Sequence, residues 1–272
     1  MKTKWGRIET RAWATGSYFP LGTVLLIAMV ALMLAATVQE LRAESEIPFS
    51  RTRMIIEYNS SADDIGVQVS LDGEPWRSLK IENPNGRTIL DIIANRSLRK
   101  QGLTELFFES SEPSLADVPI EEFFARFPEG VYEFEGTTVE GQAIEGEAVF
   151  THVIPAGPVI VSPLEGAEVN PKALDIVWNR VTETRDGDPV KIVAYQVIVE
   201  RTDNAELGAA PRLFDIKLPP SPGEPQRVTV PSQFLEPGKE YKFEVLAIEE
   251  GGNQTITEGG PFTTKSAPIR AR

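Results

Sequence analysis

Hydrophobic and polar residues alternate in several short runs of the C-terminal half, from Pro158 onward. Two long runs each place four apolar side chains on one face of a strand. These are Val193, Tyr195, Val197 and Val199 in the first run, and Tyr241, Phe243, Val245 and Ala247 in the second. Pro and Gly separate the runs at intervals of roughly 8–12 residues, which is typical of β-sandwiches. The pattern therefore predicts an all-β sandwich in this half.

A corner-like group of residues precedes the second long run. Leu235 is followed by the turn residues Pro237 and Gly238, and Tyr241 opens the strand that comes next. In immunoglobulin-like sandwiches a tyrosine at this position hydrogen-bonds to the backbone a few residues upstream. We therefore predict that Tyr241 is buried, with its hydroxyl bonded back toward residues 235–238.

Two further aromatic residues fit an immunoglobulin-like sandwich. Trp178 lies in an early predicted strand, and Tyr195 lies in the next one. Together with the stretch LEPGKEYKFEVLA, they resemble a fibronectin type III domain that covers about residues 157–264. Another family of β-sandwiches is the alternative. The resemblance implies structural roles for Trp178, Tyr195, Leu235 and Tyr241. It also implies a spacer, adhesive or protein-binding module and no particular chemistry.

The N-terminal half, residues 46–154, contains strand-like runs separated by the turn sequences LDGE and NPNGR. A helix is predicted near residues 117–127, because apolar residues recur there at helical spacing. They are Ile120, Phe123, Phe124 and Phe127, and Asp117 is the expected cap. This half is similar to uncharacterised N-terminal modules of secreted bacterial proteins that carry a fibronectin type III domain. We predict a mostly β protein of two tandem sandwich-like modules, the first with one short helix.

The first 43 residues have the order of a secretory signal. Basic residues come first, an uncharged apolar run follows over residues 21–38, and small residues precede Glu44. We predict cleavage after Ala43, with Ala36 as a second candidate site and an uncleaved membrane anchor as the alternative. The protein is thus expected to be secreted or periplasmic, or else anchored and facing away from the cytoplasm. The tail, residues 265–272, is expected to be disordered.

Composition and charge narrow the range of partners. The chain of 272 residues is 41% hydrophobic and 25% charged, as in an ordinary globular protein. Its formal charge is −13, and removal of residues 1–43, which carry +3, makes it −16. This charge disfavours nucleic acid, and it leaves the membrane as a partner only through an uncleaved N-terminal segment. The sequence has no cysteine, which excludes disulfides and thiolate chemistry.

Motifs for catalysis and metal binding are weak. His152 is the only histidine and shares strand parity with apolar neighbours, so a structural role is favoured over catalysis or zinc binding. Two acidic turns contain candidate calcium ligands, although solvated turns are the favoured interpretation. The residues are Asn59, Asp63 and Asp64 in one turn, and Asp186 and Asp188 in the other. We predict no enzyme activity and no cofactor, with weak Ca²⁺ binding as an unsupported alternative.

Four residues form the candidate binding surface. Trp76 follows the LDGE turn and is the one tryptophan beyond the signal that the C-terminal sandwich does not need. Arg96, Arg99 and Lys100 are the one basic cluster of the exported part. The predicted function is that of an exported, non-catalytic binding or scaffold protein whose partner is a protein or polysaccharide of the cell envelope. A carbohydrate-binding accessory protein is the alternative, and a cryptic hydrolase is a weaker one.

Overall fold

The structure, a computed structural model, describes residues 46–202 and 213–266. The elements of the N-terminal half are β1 (Ile47–Pro48), β2 (Arg51–Asn59), β3 (Asp64–Glu82), β4 (Thr88–Ile93), α1 (Arg96–Gln101), β5 (Leu103–Glu109), α2 (Ile120–Arg126), β6 (Gly130–Thr138) and β7 (Ala143–Phe150). Those of the C-terminal half are β8 (Ile160–Ser162), β9 (Glu168–Val169), β10 (Leu174–Trp178), β11 (Ile192–Arg201), β12 (Leu213–Leu218), β13 (Gln226–Val230), β14 (Glu240–Glu249) and β15 (Gln254–Thr264).

The signal predicted over residues 1–43 lies outside the described residues, as does most of the predicted tail. Within residues 46–202 and 213–266, no helix is long and apolar enough to cross a membrane. The described chain is mostly β, with two sheets and two short helices.

A single strand of 19 residues, β3, organises the N-terminal half. Its first part pairs with β2 and β5, and its second part pairs with β6 and β4. Trp76 marks the change of partners, because it pairs with Leu103 of β5 and with Thr138 of β6. β6 then pairs with β7, and β7 pairs with β1. β2 and β6 therefore follow one edge of β3, and β4 and β5 follow the other.

The chain does not reverse at LDGE, where the sequence predicts a hairpin turn. β3 runs through these residues, with an irregular register between Asp72 and Trp76. Gly73 lies against the ring of Phe49, and a Cβ at this position would be 2.8 Å from Phe49 Cδ1. A local shift of register lets a strand change partners without reversing direction. The second predicted turn, NPNGR, does connect β3 to β4.

Two short helices accompany these strands. α2 occupies part of the predicted segment 117–127 and buries Phe123 in the core. Asp117 does not cap α2, because the helix begins after Pro119 and Asp117 belongs to the turn before it. α1 was not predicted, and all six of its residues are exposed. A short helix without a buried face has no apolar period from which it could be predicted.

The C-terminal half consists of two packed layers of strands. β13, β10 and β8 form a three-stranded antiparallel sheet, and β15, β14, β11 and β12 form the facing layer. One hydrophobic cluster fills the space between them. Its largest side chains are Trp178, Tyr195, Tyr241, Phe243 and Phe262. This is the two-layer arrangement of a β-sandwich.

The two halves share one sheet. Residues 57–59 of β2 pair in parallel with residues 254–256 of β15, so the strand order runs β1-β7-β6-β3-β2-β15-β14-β11-β12. Each half keeps its own hydrophobic cluster, one from Phe49 to Ile154 and one from Leu174 to Phe262. Two cores are therefore joined by a continuous sheet.

Candidate functional site

The corner around Tyr241 has a structural role. Tyr241 is fully buried, and its hydroxyl accepts a hydrogen bond from the N–H of Glu236 at 2.8 Å. Leu235 is buried in the same cluster. A similar bond occurs in the N-terminal half, where the hydroxyl of Tyr132 donates to the carbonyl oxygen of Pro128 at 3.1 Å. Both bonds fasten the start of a strand to the turn before it.

Trp178 and Tyr195 also belong to the core of the C-terminal half. Their rings meet edge to face, with centroids 5.2 Å apart. The Tyr195 hydroxyl accepts a hydrogen bond from the N–H of Val181 at 2.8 Å, and burial raises the pKa of Tyr195. These aromatic residues therefore stabilise the sandwich and present no face to a ligand.

Trp76 was predicted to belong to the candidate binding surface, and this prediction is wrong because the residue is buried. The side chain is 0% exposed and lies in the N-terminal hydrophobic cluster. The reason is the course of β3, which continues past Trp76 between β5 and β6 instead of turning at LDGE. An aromatic residue beside a hairpin would be exposed, whereas one in the middle of a central strand is covered.

Arg96, Arg99 and Lys100 lie together on α1 and are exposed. The helix stands between β4 and β5 in the chain, along the outer edge of β3. Arg96 has a φ of 49°, which is uncommon for a residue with a side chain. The basic cluster is thus a surface feature, separate from the buried Trp76.

His152 is held as a structural residue. Its Nε2 lies 2.7 Å from the carbonyl oxygen of Phe127, so this nitrogen carries the hydrogen and donates it. The ring stacks on Phe124 at a centroid distance of 3.8 Å. Because Phe124 lies on α2, the histidine connects this helix to the segment that follows β7.

The turn between β14 and β15 carries a buried polar contact between the two halves of the chain. Asn253 in this turn is 2% exposed. Its Nδ2 donates to the carbonyl oxygens of Thr151 and Val153 at 3.0 and 2.8 Å, and its Oδ1 accepts from the N–H of Ile56 at 2.8 Å. Asn253 also heads the sequon Asn-Gln-Thr. Because both hydrogens of its amide group are engaged, attachment of a glycan would open this contact.

Further hydrogen bonds surround Asn253. The Arg53 guanidinium donates to the carbonyl oxygen of Gly252 at 2.7 Å, and the Thr255 hydroxyl donates to the carbonyl oxygen of Pro155 at 2.6 Å. The Ser60 hydroxyl donates to the carbonyl oxygen of Ile256 at 2.8 Å. Together with the β2–β15 pairing, these contacts form what we call the junction, comprising residues 53–60, 151–155 and 252–257.

Three carboxylates lie beside the junction. Glu57, Glu109 and Glu112 come from β2, β5 and the segment after β5, and one oxygen of each lies within 4.8 Å of the others. Gln254 donates a hydrogen bond to the Glu57 carboxylate, and Gln68 donates one to Glu109 at 3.0 Å. We call Glu57, Glu109 and Glu112 the carboxylate cluster.

Gly66 makes room for this cluster, because a Cβ at this position would lie 2.8 Å from Glu112 Cγ. Burial raises the pKa of Glu57 to about 7. The hydrogen bond from Gln254 acts against this rise, and the hydrogen bond and negative charge of Glu109 add to it. Desolvation likewise raises the pKa of Glu112 to about 7, assisted by the charge of Glu109. The raised pKa values mean that Glu57 and Glu112 keep their protons to a higher pH than an ordinary glutamate does.

Carboxylate oxygens at this spacing are also ligands that a divalent cation uses. The carboxylate cluster is a better candidate for this chemistry than the two acidic turns of the sequence. In the first turn, Asn59 Oδ1 already accepts from two N–H groups of residues 61 and 62, and Asp63 accepts from the Tyr58 hydroxyl. In the second turn, Asp186 and Asp188 are exposed.

Sequence reasoning did not find the junction or the carboxylate cluster. One signal was present, since Glu57 stands between Ile56 and Tyr58 in a nearly continuous apolar run. A charged residue in such a run indicates a special contact, because charges are buried only at a cost. The partners Gln254 and Glu109 are far away in the chain, and no local pattern connects them with Glu57.

Comparisons with known proteins leave the family open, since no family model matches the sequence and no curated protein matches it. Among solved structures, the third fibronectin III domain of the human KIAA0343 protein matches with 14% identity and a TM-score of 0.29, over 45% of this chain and 92% of that one. Fibronectin domains FN1–FN3 of chicken CNTN1 match with 10% identity and a TM-score of 0.29, over 79% of this chain and 68% of that one. A bacterial ice-binding adhesin matches with 11% identity and a TM-score of 0.26, over 82% of this chain and 67% of that one.

These structural scores are too low to support any conclusion about function. The fold of the C-terminal half is instead identified by its own geometry. Three strands face four, Trp178 and Tyr195 fill the space between them, and Tyr241 fastens the corner before β14. The C-terminal half of this chain is a fibronectin type III-like sandwich of the immunoglobulin-like class.

Proposed function

We propose that the protein is an exported, non-catalytic binding or scaffold protein in which two β modules are held in one orientation. The modules are residues 46–154 and 157–264, separated by the short linker between Pro155 and Pro158. The observation that carries the proposal is the continuous sheet that passes from one module to the other through β2 and β15.

The junction supports a fixed orientation because it consists of directional hydrogen bonds. Asn253 alone satisfies two carbonyl oxygens and one N–H of the first module. Moving the modules apart would break these hydrogen bonds, and each one contributes about 0.5–1.5 kcal/mol net. A joint of this kind suits a spacer that presents surfaces at a set angle, whereas modules on a flexible tether would move independently.

The two rival functions have less support. A carbohydrate-binding protein commonly uses several exposed aromatic rings. The tryptophans beyond residue 43, Trp76 and Trp178, are both buried, and Phe107 is the one large aromatic side chain that is exposed in the described part of the chain.

The pair of carboxyl groups that best suits a hydrolase is Glu57 and Glu112, whose pKa values are raised to about 7. Glu57, however, is 7% exposed and hydrogen-bonded to Gln254, a position that suits the junction better than contact with a substrate.

The proposed partner is a protein or polysaccharide of the cell envelope, bound by the outer surfaces of the modules. Affinity capture from envelope fractions tests this proposal. The protein used is isolated after native processing of its N-terminal segment. The variants are Asn253→Ala, which weakens the junction, and Asn170→Ala, which changes an exposed turn asparagine in the same way.

We expect the native protein and Asn170→Ala to retain the same envelope component, and Asn253→Ala to retain clearly less of it. Digestion of the retained material with proteases or with polysaccharide-degrading enzymes then identifies its class. Absence of specific retention by the native protein contradicts the binding proposal. Turnover of an envelope polymer that Glu57→Gln abolishes would favour the hydrolase instead.

A further inference from the structure

The second part of β3 and its neighbours form a sheet with one covered face and one open face. On the covered face, Ile81, Tyr132, Phe134 and Phe150 point into the N-terminal hydrophobic cluster and are buried. The residues between them point to the other side of β4, β3, β6 and β7, where they are exposed or partly exposed. The described residues therefore leave this side of the sheet accessible to a partner.

The strand register places charged residues of the open face in two rows. The first row takes one residue from each of β3, β6 and β7, which are Glu82, Glu133 and Glu147. The second row lies two residues further along and includes β4, with Asp91, Lys80, Glu135 and Glu145. Six of these seven residues are acidic. We call the two rows together the acidic face.

The charges of the acidic face are only partly balanced within the chain. Lys80 Nζ lies 2.9 Å from Glu82 and 2.8 Å from Glu135, and contact with Lys80 lowers the pKa of Glu82. Glu133 and Glu147 are directly opposite each other and form no ion pair within residues 46–202 and 213–266. Like charges at opposite positions destabilise a sheet. Proteins break such local rules mainly at functional sites.

Two valines continue the same strands beyond the first row. Val131 and Val149 are directly opposite each other, two residues from Glu133 and Glu147, and they are 41% and 67% exposed. Exposed apolar side chains gain free energy when they are covered. Lysine and arginine carry a charged head on an apolar stem, so one such side chain can cover a valine and reach a carboxylate. A metal ion or another small cation would leave the valines exposed.

We propose that the acidic face and its two valines bind a lysine- or arginine-rich segment of a partner protein. The proposal rests on the binding function proposed above, and it names a surface and a partner class for that function. Positive heads of the segment lie between Glu133 and Glu147, where they remove the repulsion between the two carboxylates, and the stems cover Val131 and Val149. The surface is formed before binding, because β3, β6 and β7 are paired through this region.

Binding of a fluorescently labelled octa-arginine peptide at low salt, followed by anisotropy, tests the proposal with natively processed protein. The double variant Glu133→Gln/Glu147→Gln removes the opposed pair of charges. Glu165→Gln/Glu168→Gln is the matched control, because it removes the same charge at exposed positions of the other half. A labelled octaserine peptide measures binding that does not depend on charge.

We expect the native protein and the control to bind octa-arginine equally well, and the double variant to bind about tenfold more weakly, since two charged contacts are lost. Val149→Ser should weaken binding as well, because the apolar contact is lost. The double variant should also require more urea to unfold than the native protein, because the repulsion is removed. A gain in stability together with a loss of binding excludes misfolding as the cause of the loss.

Three results would overturn this assignment of the acidic face. The first is binding of octa-arginine that is no stronger than binding of octaserine. The second is a double variant that binds octa-arginine as tightly as the control. The third is binding that millimolar Ca²⁺ abolishes and Val149→Ser leaves unchanged, as expected of a site for small cations.

Capture from envelope fractions separates this assignment from the proposed function. If the native protein and the double variant retain the same envelope component equally well, the binding function stands and the acidic face is not its site. If the double variant alone loses that component, both proposals are supported. If the native protein retains nothing, the proposed function itself is contradicted, whatever the peptide result.

Discussion

The corner at Tyr241 and the junction at Asn253 both bury polar side chains, but over very different distances in the chain. At the corner, one hydroxyl meets an N–H only five residues away. At the junction, Asn253 accepts from the N–H of Ile56, which is 197 residues away. The corner is neutral, whereas the junction lies beside carboxyl groups with pKa values of about 7. The difference shows that a local contact can be found from the spacing of residues, while a contact between the two halves of the chain depends on the whole fold.

The largest expected effect comes from breaking the junction. Asn253→Ala removes the partner of two carbonyl oxygens and one N–H, so we expect a loss of about 3–4 kcal/mol in the free energy of unfolding. Urea unfolding followed by circular dichroism measures it. Asn170→Ala, in an exposed turn, should change stability by less than about 0.5 kcal/mol. Equal stability of the two variants would show that the junction does not hold the modules together.

Breaking the corner should cost less. Tyr241→Phe removes the hydroxyl oxygen that accepts the hydrogen bond from the N–H of Glu236, with an expected loss of about 1–3 kcal/mol in the free energy of unfolding. Tyr132→Phe is the matched variant in the N-terminal half, where only a carbonyl oxygen loses its donor. Thermal melting compares the two. A larger loss of stability for Tyr241→Phe than for Asn253→Ala would contradict the expectation that the junction contributes more than the corner.

The free energy of unfolding should depend on pH, because Glu57 lies beside the junction and is ionisable. Glu57 has a raised pKa of about 7 in the folded protein, above its unfolded value, so protons bind the folded state more tightly. This contribution to stability is complete below the unfolded pKa and is lost as the pH rises to about 7 and above. Glu57→Gln should therefore stabilise the protein by about 1–2 kcal/mol at pH 8 and change it little at pH 4.5, where Glu57 is protonated in the folded protein.

Unfolding of the native protein and of Glu57→Gln at several pH values measures this difference. A native stability that rises between pH 5 and pH 8 relative to the variant would contradict the assignment. Glu105→Gln is a suitable control, because Glu105 is an exposed carboxyl on the same strand as Glu109 and lies outside the carboxylate cluster.

The smallest effect is expected at α1, which belongs to neither the corner nor the junction. Replacement of Arg96, Arg99 and Lys100 by alanine should change the free energy of unfolding of dilute protein by less than about 0.5 kcal/mol, because all three are exposed. Urea unfolding at low concentration measures it. A larger loss would mean that α1 helps to hold the edge of β3 in place.

Much of the C-terminal half could be predicted from the sequence. Tyr241, Leu235 and Trp178 stand in or beside strands that alternate clearly and whose turns are marked by Pro and Gly, so pattern and fold agree there. The prediction for Val193 is wrong: it was placed on the buried face with Tyr195 but is 41% exposed, because the register between β11 and β14 shifts between Ile192 and Ala194.

The N-terminal half was less predictable. Asp-Gly indicates a hairpin in most contexts, but here β3 continues through Asp72 and Gly73, and pairing of Asp72 with both β2 and β5 keeps it extended.

Prediction of the candidate site failed where burial depends on distant strands. Trp76 was expected beside a turn and is buried because β5 and β6 lie on either side of it. The basic residues of α1 are exposed, because a helix without an apolar stripe packs no face into a core. Their place beside the outer edge of β3 could not be inferred from local sequence.

The sequence by itself determined which segments of the C-terminal half form strands, where their apolar faces lie, how the Tyr241 corner closes and that the chain is acidic. These properties arise from neighbouring residues and from the period of two of a β-strand. Only the tertiary structure decided that β2 pairs with β15, that Asn253 and Glu57 are buried at the junction, and that Glu133 and Glu147 lie opposite each other on one face of a sheet. Pairing between strands joins backbone groups that every residue carries, so the choice of partner is settled by the packing of the whole fold.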